Sequence, residues 1–535
     1  MLFTSWPFLL VFLPLAIAGY GVTSLWGRTP AILWLIAASL TFYGFWAPYL
    51  IVLISISIAF NYGISVAIRR TADRPGLQKG LLIGGITVDL LALFYYKYAY
   101  ALLSFFAGYG YLSAFQGMAS VVLPLGISFF TFTQIGYLVD CRDGVTKDNS
   151  LSDYVLFVTF FPHLIAGPIL HNGEMMPQFA DRSNYGLRAR NIAPALTLFV
   201  LGMLKKSLLA DTLSPNVAAG FASAASMQLV GGWTTALSYS LQLYFDFSGY
   251  SDMAIALAML FNVRFPPNFN SPYKARNIVD FWQRWHMSLT RYLTQYLYNP
   301  IAMAMRRSRI ARGRPMTRKA LETPGAFAAL VAYPTILTMA LAGIWHGAGL
   351  QFLVFGVLHG LYLTINHGWR MFRPKPPKGA EKREPPLPQI VLSMAITYFA
   401  VLLGQVFFRA ASCGQAVDLL AAMVGLHGVE HNGAAVEHAG MVKRVLAHLG
   451  IFDLFTPARI KQLAQIAVSF AICWFMPNTQ QIMAVAEPVL GNLPPPAPRW
   501  LQWGPTPRWA VTIAFAALLA CLSLGGTSEF LYFQF

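Results

Sequence analysis

An all-α, polytopic integral membrane protein is the fold class this sequence predicts, and three observations predict it. Of 535 residues, 56% are hydrophobic and only 11% are charged, whereas soluble domains carry about 25% charged residues; the mean hydropathy is +0.53. Apolar stretches long enough for a helix to cross a bilayer recur from end to end, giving roughly 11–13 membrane segments. Cations gather in the connections between those stretches, so the net charge of +17 reads as basic cytoplasmic loops. The chain reads as one membrane domain, 1–535, with a polar extramembrane insertion at 414–457. No basic groove interleaved with aromatics is visible, which sets nucleic acid aside. Cys141, Cys413, Cys473 and Cys521 are far apart and form no CxxC pair, so neither a zinc site nor a disulfide framework is predicted.

The first apolar segment, 8–25, contains Ala16-Ile-Ala18, which is like a signal-peptidase site, but Met1 to Pro7 holds no Lys or Arg. Without a charged leading region the segment is expected to stay as the first span. Segments 31–45 and 49–67 follow, and Arg69, Arg70, Arg74 and Lys79 mark a cytoplasmic loop. Segment 81–106 carries Phe94-Tyr-Tyr-Lys-Tyr98, which suits the headgroup level, where rings settle and lysine snorkels. Segments 121–139 and 156–170 contain Pro124 and Gly126, and Pro162, His163, Gly167 and Pro168. Prolines so placed break a helix, and broken backbone in a membrane is tolerated only against protein or a watery cavity. The next span is 191–209, with Lys205 and Lys206 near its end.

Segment 238–261 contains Tyr244-Phe-Asp246-Phe-Ser248-Gly-Tyr250-Ser251-Asp252. Carboxylates in an apolar stretch are costly unless they face an aqueous cavity or pair internally. Six residues apart they do not share a helix face, so no carboxylate dyad is read here. Each is expected to be a cap or an internal partner ahead of direct chemistry, and Asp252, before Met-Ala-Ile-Ala, is placed to cap. Phe265-Pro-Pro-Asn268-Phe then interrupts the helix. In Asp280-Phe-Trp282-Gln-Arg284-Trp285-His286-Met-Ser288-Leu the apolar positions recur at helical spacing. That spacing predicts an amphipathic helix over 280–298, lying in the interface or lining a cavity mouth. His286 alone reads equally well as a satisfied surface group.

Arg306, Arg307, Arg309, Arg312, Arg314, Arg318 and Lys319 have no acid among them, and Arg370, Arg373, Lys375, Lys378, Lys382 and Arg383 follow two apolar segments. Both loops are assigned to the cytoplasm, where they can also meet anionic headgroups. The segments between must go in and return, with Leu341-Ala-Gly-Ile-Trp345-His346-Gly347 near the turn. From Gly325 a helix reaches about 30 Å by His346, which puts that histidine deep in the bilayer or in its far half. An ionisable group there is a functional candidate by default, and imidazole can take up and return a proton near neutral pH. A hydrogen-bonded histidine in a packed interior fits the same residues, and both readings stay open on this evidence. Segment 389–408 is another span, ending Val406-Phe-Phe-Arg409. His427, His431 and His438 are scattered over the polar insertion around Gly433, and no metal site is assigned to them. Segment 465–475 is short, 486–506 is a Pro-rich loop, and 509–524 is the last apolar segment.

Several of these motifs coincide with a known pattern. Phe281-Trp282-Gln-Arg284-Trp285-His286-Met-Ser288-Leu resembles the first histidine motif of the bacterial branch of the membrane-bound O-acyltransferases, and Gly343-Ile-Trp345-His346-Gly347 the second. Asp246-Phe-Ser248-Gly-Tyr250-Ser251-Asp252-Met, Phe265-Pro-Pro-Asn268-Phe, Phe407-Phe-Arg409-Ala and the terminal Tyr532-Phe-Gln-Phe535 are similar too. Within the branch the pattern looks most like alginate O-acetyltransferase membrane subunits, with the D-alanyl transfer proteins of teichoic-acid modification more distant. The resemblance implies a ring of tilted helices around a funnel, with in-plane and re-entrant helices, in a bacterial inner membrane. It implies an acyl thioester donor, acetyl-CoA or an acyl carrier protein, on the cytoplasmic side, and no bound cofactor or metal. It also implies a polysaccharide acceptor and an extracytoplasmic partner enzyme of the SGNH type, alongside membrane lipid.

By the same resemblance His346 is the general base, and His286 assists by orienting the acceptor or polarising the thioester carbonyl. Trp345, Trp282 and Trp285 would wall the cavity, with Arg284, Asp246, Ser248, Asp252 and Asn268 as further channel candidates. One departure is His163, where family members often carry Gln; no role is assigned to it. No Gly-x-Ser-x-Gly elbow is present, so a serine nucleophile within this chain is not supported. A transporter or flippase using His346, His286, Asp246 and Asp252 as a relay is the second reading, although no inverted repeat is apparent. A scaffold for a secretion complex is the third.

Overall fold

The computed structural model describes residues 1–108, 123–146, 150–374, 384–428, 457–491, 494–524 and 531. Among the described residues the ordered structure is helical apart from one isolated bridge, Phe265 to Val489. Five helices are long and apolar enough to cross a membrane: Leu50–Arg70, Pro75–Phe106, Ala189–Ala222, Pro324–His346 and Leu387–Arg409. Phe8–Ser24, Cys413–Met423 and Pro507–Leu522 are shorter apolar helices. The protein is therefore a multi-pass, all-helical membrane protein. Two further long helices, Leu229–Leu260 and Leu350–Phe372, fall where spans were predicted, and both carry buried polar groups.

The break expected from the prolines of 156–170 is present, and three other expectations change at the level of elements. Leu151–Thr159 ends, Phe161–Leu164 is a single turn, and irregular backbone follows. The prolines remove the ladder donors there, and His163 Nε2 lies 2.8 Å from the Phe157 carbonyl oxygen. Lys205 and Lys206 do not end a helix. A π turn, Lys205–Ala210, carries the chain straight into Asp211–Ala222. Asp252 caps nothing, because it lies inside the 32-residue helix Leu229–Leu260. Part of the predicted polar insertion is a helix, Cys413–Met423, with Ala416, Leu419, Ala422 and Met423 buried. Residues 429–456, with His431 and His438, lie outside the described residues, as do Lys375 to Arg383 and Tyr532-Phe-Gln-Phe535.

The chain forms two compact units, each discontinuous in sequence. One comprises Met1–Leu204, Ser248–Asn268 and the stretch from Thr479 onward. Its core is aromatic: Phe42 lies 5.7 Å from Phe3, 5.9 Å from Phe8 and 5.4 Å from Phe161, and Tyr250 stacks on Phe3 at 4.6 Å. Arg28 pairs with Asp153.

The other unit comprises Lys205–Phe247 and Phe269–Asn478. At its centre the Tyr398 hydroxyl donates to Ser240 Oγ at 2.9 Å, and the Tyr273 hydroxyl donates to the Ser240 carbonyl at 2.6 Å. Gln405 Nε2 donates to the Tyr273 hydroxyl at 3.3 Å. Tyr333–His346 and Leu350–Phe372 form a tight hairpin in this unit. Its closeness follows from glycine: a Cβ on Gly343 would meet the Phe352 carbonyl at 2.2 Å, and one on Gly356 the Met339 carbonyl at 2.3 Å. Without lipid-excluding force between helices, such small-residue contact is what lets them pack.

Candidate active site

His346 is the last residue of the Pro324–His346 span. Twenty-three residues at 1.5 Å rise place it about 33 Å from the start, at the far end of the span from the basic loop. Gly347 leaves the helix in extended conformation. The imidazole is enclosed by rings: Trp345 at 4.8 Å, Phe408 at 5.0 Å and Phe355 at 6.2 Å between centroids. The residue is 7% exposed, and its Nδ1 is buried.

The first histidine motif folds differently from the single helix predicted for 280–298. Asn277 caps Ile278–Trp282 by accepting from Val279 N at 3.1 Å and Asp280 N at 3.0 Å, which is the usual way a helix start is satisfied. The helix stops after one turn. His286 then sits at φ +44°, and Met287–Leu293 begins from it. A left-handed residue with a Cβ costs about 1 kcal/mol or more, so the amphipathic spacing is honoured on both sides of a break that the spacing could not reveal. The His286 ring is 2% exposed and meets Phe247 edge-on at 4.8 Å.

Trp282 and Trp285 are buried, Trp285 stacking on Phe281 at 5.6 Å and meeting Phe269 at 5.1 Å. Arg284 is spent on structure: its Nε donates to Asp280 Oδ1 at 2.7 Å, and its carbonyl accepts from Asn270 N at 2.9 Å.

A histidine that sequence reasoning missed joins the two motifs. His359, on Leu350–Phe372, is fully buried, and its Nδ1 accepts from the Trp282 indole at 3.3 Å. Its ring lies 4.6 Å from Phe355, the same ring that meets His346. Gly404 makes the space: a Cβ there would come within 2.5 Å of His359 Nε2. The only sequence signal was a histidine thirteen residues after His346 in an uncharged run.

The remaining candidates separate into the two units. Asp246 pairs with Lys206 at 2.6 Å, and Lys206 also donates to Asp211 at 2.7 Å. In the other unit Asp252 accepts from Thr479 Oγ1 at 2.8 Å and Gln480 Nε2 at 3.2 Å, and Asn268 Nδ2 donates to Ser251 Oγ at 3.0 Å. Ser248 Oγ is buried with no partner among the described residues. Both aspartates are thus internal partners. The described contacts bring His346, His359 and Trp282 together in one aromatic chain.

Beside the first motif is a cleft of about 270 Å³ whose lining includes Trp282, Gln283, Thr290, Thr294, Thr335 and Thr338. The Thr338 hydroxyl is buried there without a partner among the described residues.

Spanning helices and two histidine motifs folded into one unit, linked through buried aromatics, define a polytopic membrane enzyme of the acyltransferase class. The chain belongs to the membrane-bound O-acyltransferase family, whose model matches residues 141–313. A peptidoglycan O-acetyltransferase of Helicobacter pylori is 38% identical over 478 residues, covering 83% of this chain and 84% of that one. A probable alginate O-acetylase of Pseudomonas aeruginosa is 33% identical over 567 aligned residues, covering both chains completely. A teichoic acid D-alanyltransferase of Streptococcus thermophilus is more distant, 29% identical over 55% of this chain and 70% of that one.

Proposed function

We propose that this protein is a polymer O-acetyltransferase of a bacterial inner membrane, with His346 as general base. The acetyl group comes from a cytoplasmic thioester, acetyl-CoA or an acyl carrier protein. In the reaction an acceptor hydroxyl oxygen attacks the thioester carbonyl while His346 takes the hydroxyl proton. The new C–O bond forms, the C–S bond breaks, and the imidazolium returns its proton to the leaving sulfur as a thiol. His286 orients the acceptor or polarises the carbonyl. Burial among rings keeps water, which would hydrolyse the thioester, away from the reacting atoms.

The observation that carries this reading is the placement of His346, an ionisable group at the end of an uncharged spanning helix and set among aromatic rings. The cleft beside Trp282 supports it. Apolar walls with threonine hydroxyls and the Gln283 amide suit a thioester arm, which alternates methylenes with amides. The names of the relatives, peptidoglycan and alginate O-acetylases, support acetyl as the group and a glycan as the final acceptor. That acceptor is reached directly or through an extracytoplasmic SGNH-type partner.

The test is reconstitution of purified protein in proteoliposomes with acetyl-labelled CoA outside the cytoplasmic face and a soluble glycan opposite. Labelled ester should form with wild type and not with H346A. Label crossing the membrane without ester formation, equal in both proteins, would overturn the reading in favour of a transporter.

A further inference from the structure

Four threonines line the cleft beside Trp282, and they divide into two pairs. Thr290 and Thr294 are tied to backbone: Thr290 Oγ1 donates to the Trp282 carbonyl at 3.0 Å, and Thr294 Oγ1 to the Thr290 carbonyl at 2.7 Å. A threonine inside a helix commonly finds such a carbonyl one turn back. Thr335 and Thr338 do not. They are 6% and 5% exposed, and neither hydroxyl bonds to any group among the described residues. A buried hydroxyl without a partner is costly. Two of them on one wall of a 270 Å³ cleft point to a ligand that supplies the bonds.

Their spacing says which ligand. They are three residues apart on the Pro324–His346 helix and share a face, about 5 Å from one another. Thr338 comes eight residues before His346, about 12 Å along the axis, and Thr335 about 16 Å before it. Ala342, one turn beyond Thr338, adds little bulk on the way. The walls around the hydroxyls are apolar: Val279, Trp282, Leu293, Met339 and Leu363. The cleft thus offers two polar points at fixed spacing on an apolar track that leads toward the base.

The arm common to acetyl-CoA and acyl carrier proteins has this pattern. From the thioester carbon, five bonds lead through sulfur and two methylenes to one amide carbonyl, and four more lead to a second. In an extended chain, at about 1.2 Å per bond, the two amides are about 5 Å apart, which is the spacing of the two hydroxyls. The reacting carbon lies within about 5 Å of the base when the acceptor oxygen sits between them. That sets the amides at about 11 Å and 16 Å from the base, close to the positions of Thr338 and Thr335. A lipid acyl chain would leave both hydroxyls unmatched, which is how the cleft rejects the surrounding membrane.

We infer that Thr338 and Thr335 set donor specificity, Thr338 bonding the amide nearer the thioester and Thr335 the farther one. The inference rests on the acyl-transfer reading and goes beyond it by naming the two groups that select a donor with two amides.

The test uses the full-length protein in proteoliposomes and three donors. Acetyl-CoA and an acetylated carrier protein carry the whole arm; S-acetyl-N-acetylcysteamine keeps only the nearer amide. Values of kcat and KM are measured for wild type, T338V, T338S and T335V, valine keeping the shape and removing the hydroxyl. T338V should raise KM about three- to tenfold for every donor that wild type uses, the size of one neutral hydrogen bond, with kcat nearly unchanged. T338S should restore it. T335V should raise KM by a similar factor for the whole-arm donors and leave the truncated one unchanged. Where the truncated ester is not turned over, its inhibition constant against the whole-arm donor is read instead. Wild-type KM in both valine variants overturns the assignment, as does a T335V effect equal on whole-arm and truncated donors. A loss of kcat with a lowered unfolding midpoint, and no change in KM, shows that the threonines only pack and overturns it too. If wild type forms acetyl ester and the valine variants match it with every donor, the assignment falls while the acyl-transfer reading stands; no ester from any donor sinks that reading itself.

Discussion

The two motif histidines are both buried but held by opposite means. His346 ends a long apolar helix, and its position is inherited from a glycine-packed hairpin and a cage of three rings. His286 sits between two short helices at a left-handed residue, and its position is enforced by polar bonds: the Asn277 cap, the Arg284–Asp280 pair and Thr290 Oγ1 donating to the Trp282 carbonyl at 3.0 Å. A helix end in a tight hairpin fixes a side chain by packing and tolerates few shape changes. A strained turn fixes it by over-determination and persists because the surroundings demand it.

The largest expected effect comes from breaking the first arm at its end. H346A should lower the acetyl-transfer rate by about 10²–10⁴-fold, the usual contribution of a general base, with thermal unfolding close to wild type because the ring cage remains. A rate within tenfold of wild type, measured in proteoliposomes, would move the base elsewhere.

The second arm has a buried support that can be removed without touching either histidine. Lys206 neutralises Asp246 and Asp211 inside the helix pair, and Asp246 adjoins Phe247, whose ring meets His286. K206M leaves a buried carboxylate uncompensated, which typically costs about 3–5 kcal/mol. The expected result is a strongly lowered unfolding midpoint in detergent, with most of the loss regained in K206M/D246L, since replacing both charges by apolar groups is often neutral. An unchanged midpoint in K206M would show that the pair does not hold the helices together.

H286G separates the imidazole of the second arm from its backbone. Glycine adopts φ +44° without the Cβ penalty but loses more entropy on folding, so stability should stay within about 1 kcal/mol of wild type. Activity should fall about 10- to 100-fold, less than for H346A, if His286 orients the acceptor. Unfolding and initial rates on the same preparation check both halves of that expectation.

The asymmetry between the arms also explains what was legible in the sequence. His346 stood out because charge is expensive inside apolar runs, and both motifs carried a recognisable pattern. The helical spacing of Trp282, Trp285, Leu289 and Tyr292 was real, yet it could not show the break at His286, since spacing records which face is apolar and says nothing of φ. Lys206 looked like a helix end because two adjacent lysines usually mark a membrane boundary; the π turn that buries it beside Asp246 is a long-range outcome. His359 had no spacing signal at all. Its partner Trp282 is 77 residues away, and only the fold brings them together.

His359 supplies the smallest and sharpest test, because it lies where the two arms touch. Its Nδ1 receives the Trp282 indole proton, and its ring packs on Phe355, which in turn meets His346. H359L removes the acceptor and leaves a buried indole N–H unmatched, a loss of about 1–3 kcal/mol. H359Q offers a side-chain oxygen in its place and should lie much nearer wild type. If His359 only fills space, both variants will lower stability and leave kcat and KM alone, and G404A, which presses a methyl toward Nε2, will do the same. If it couples the arms, H359L should change kcat or KM severalfold, and its effect should be non-additive with H286G and additive with variants in the other unit, because only groups sharing a partner show interaction energy. The cycle of H359L, H286G and the double variant, read in kcat/KM, therefore decides whether one aromatic chain or two independent supports align the histidines.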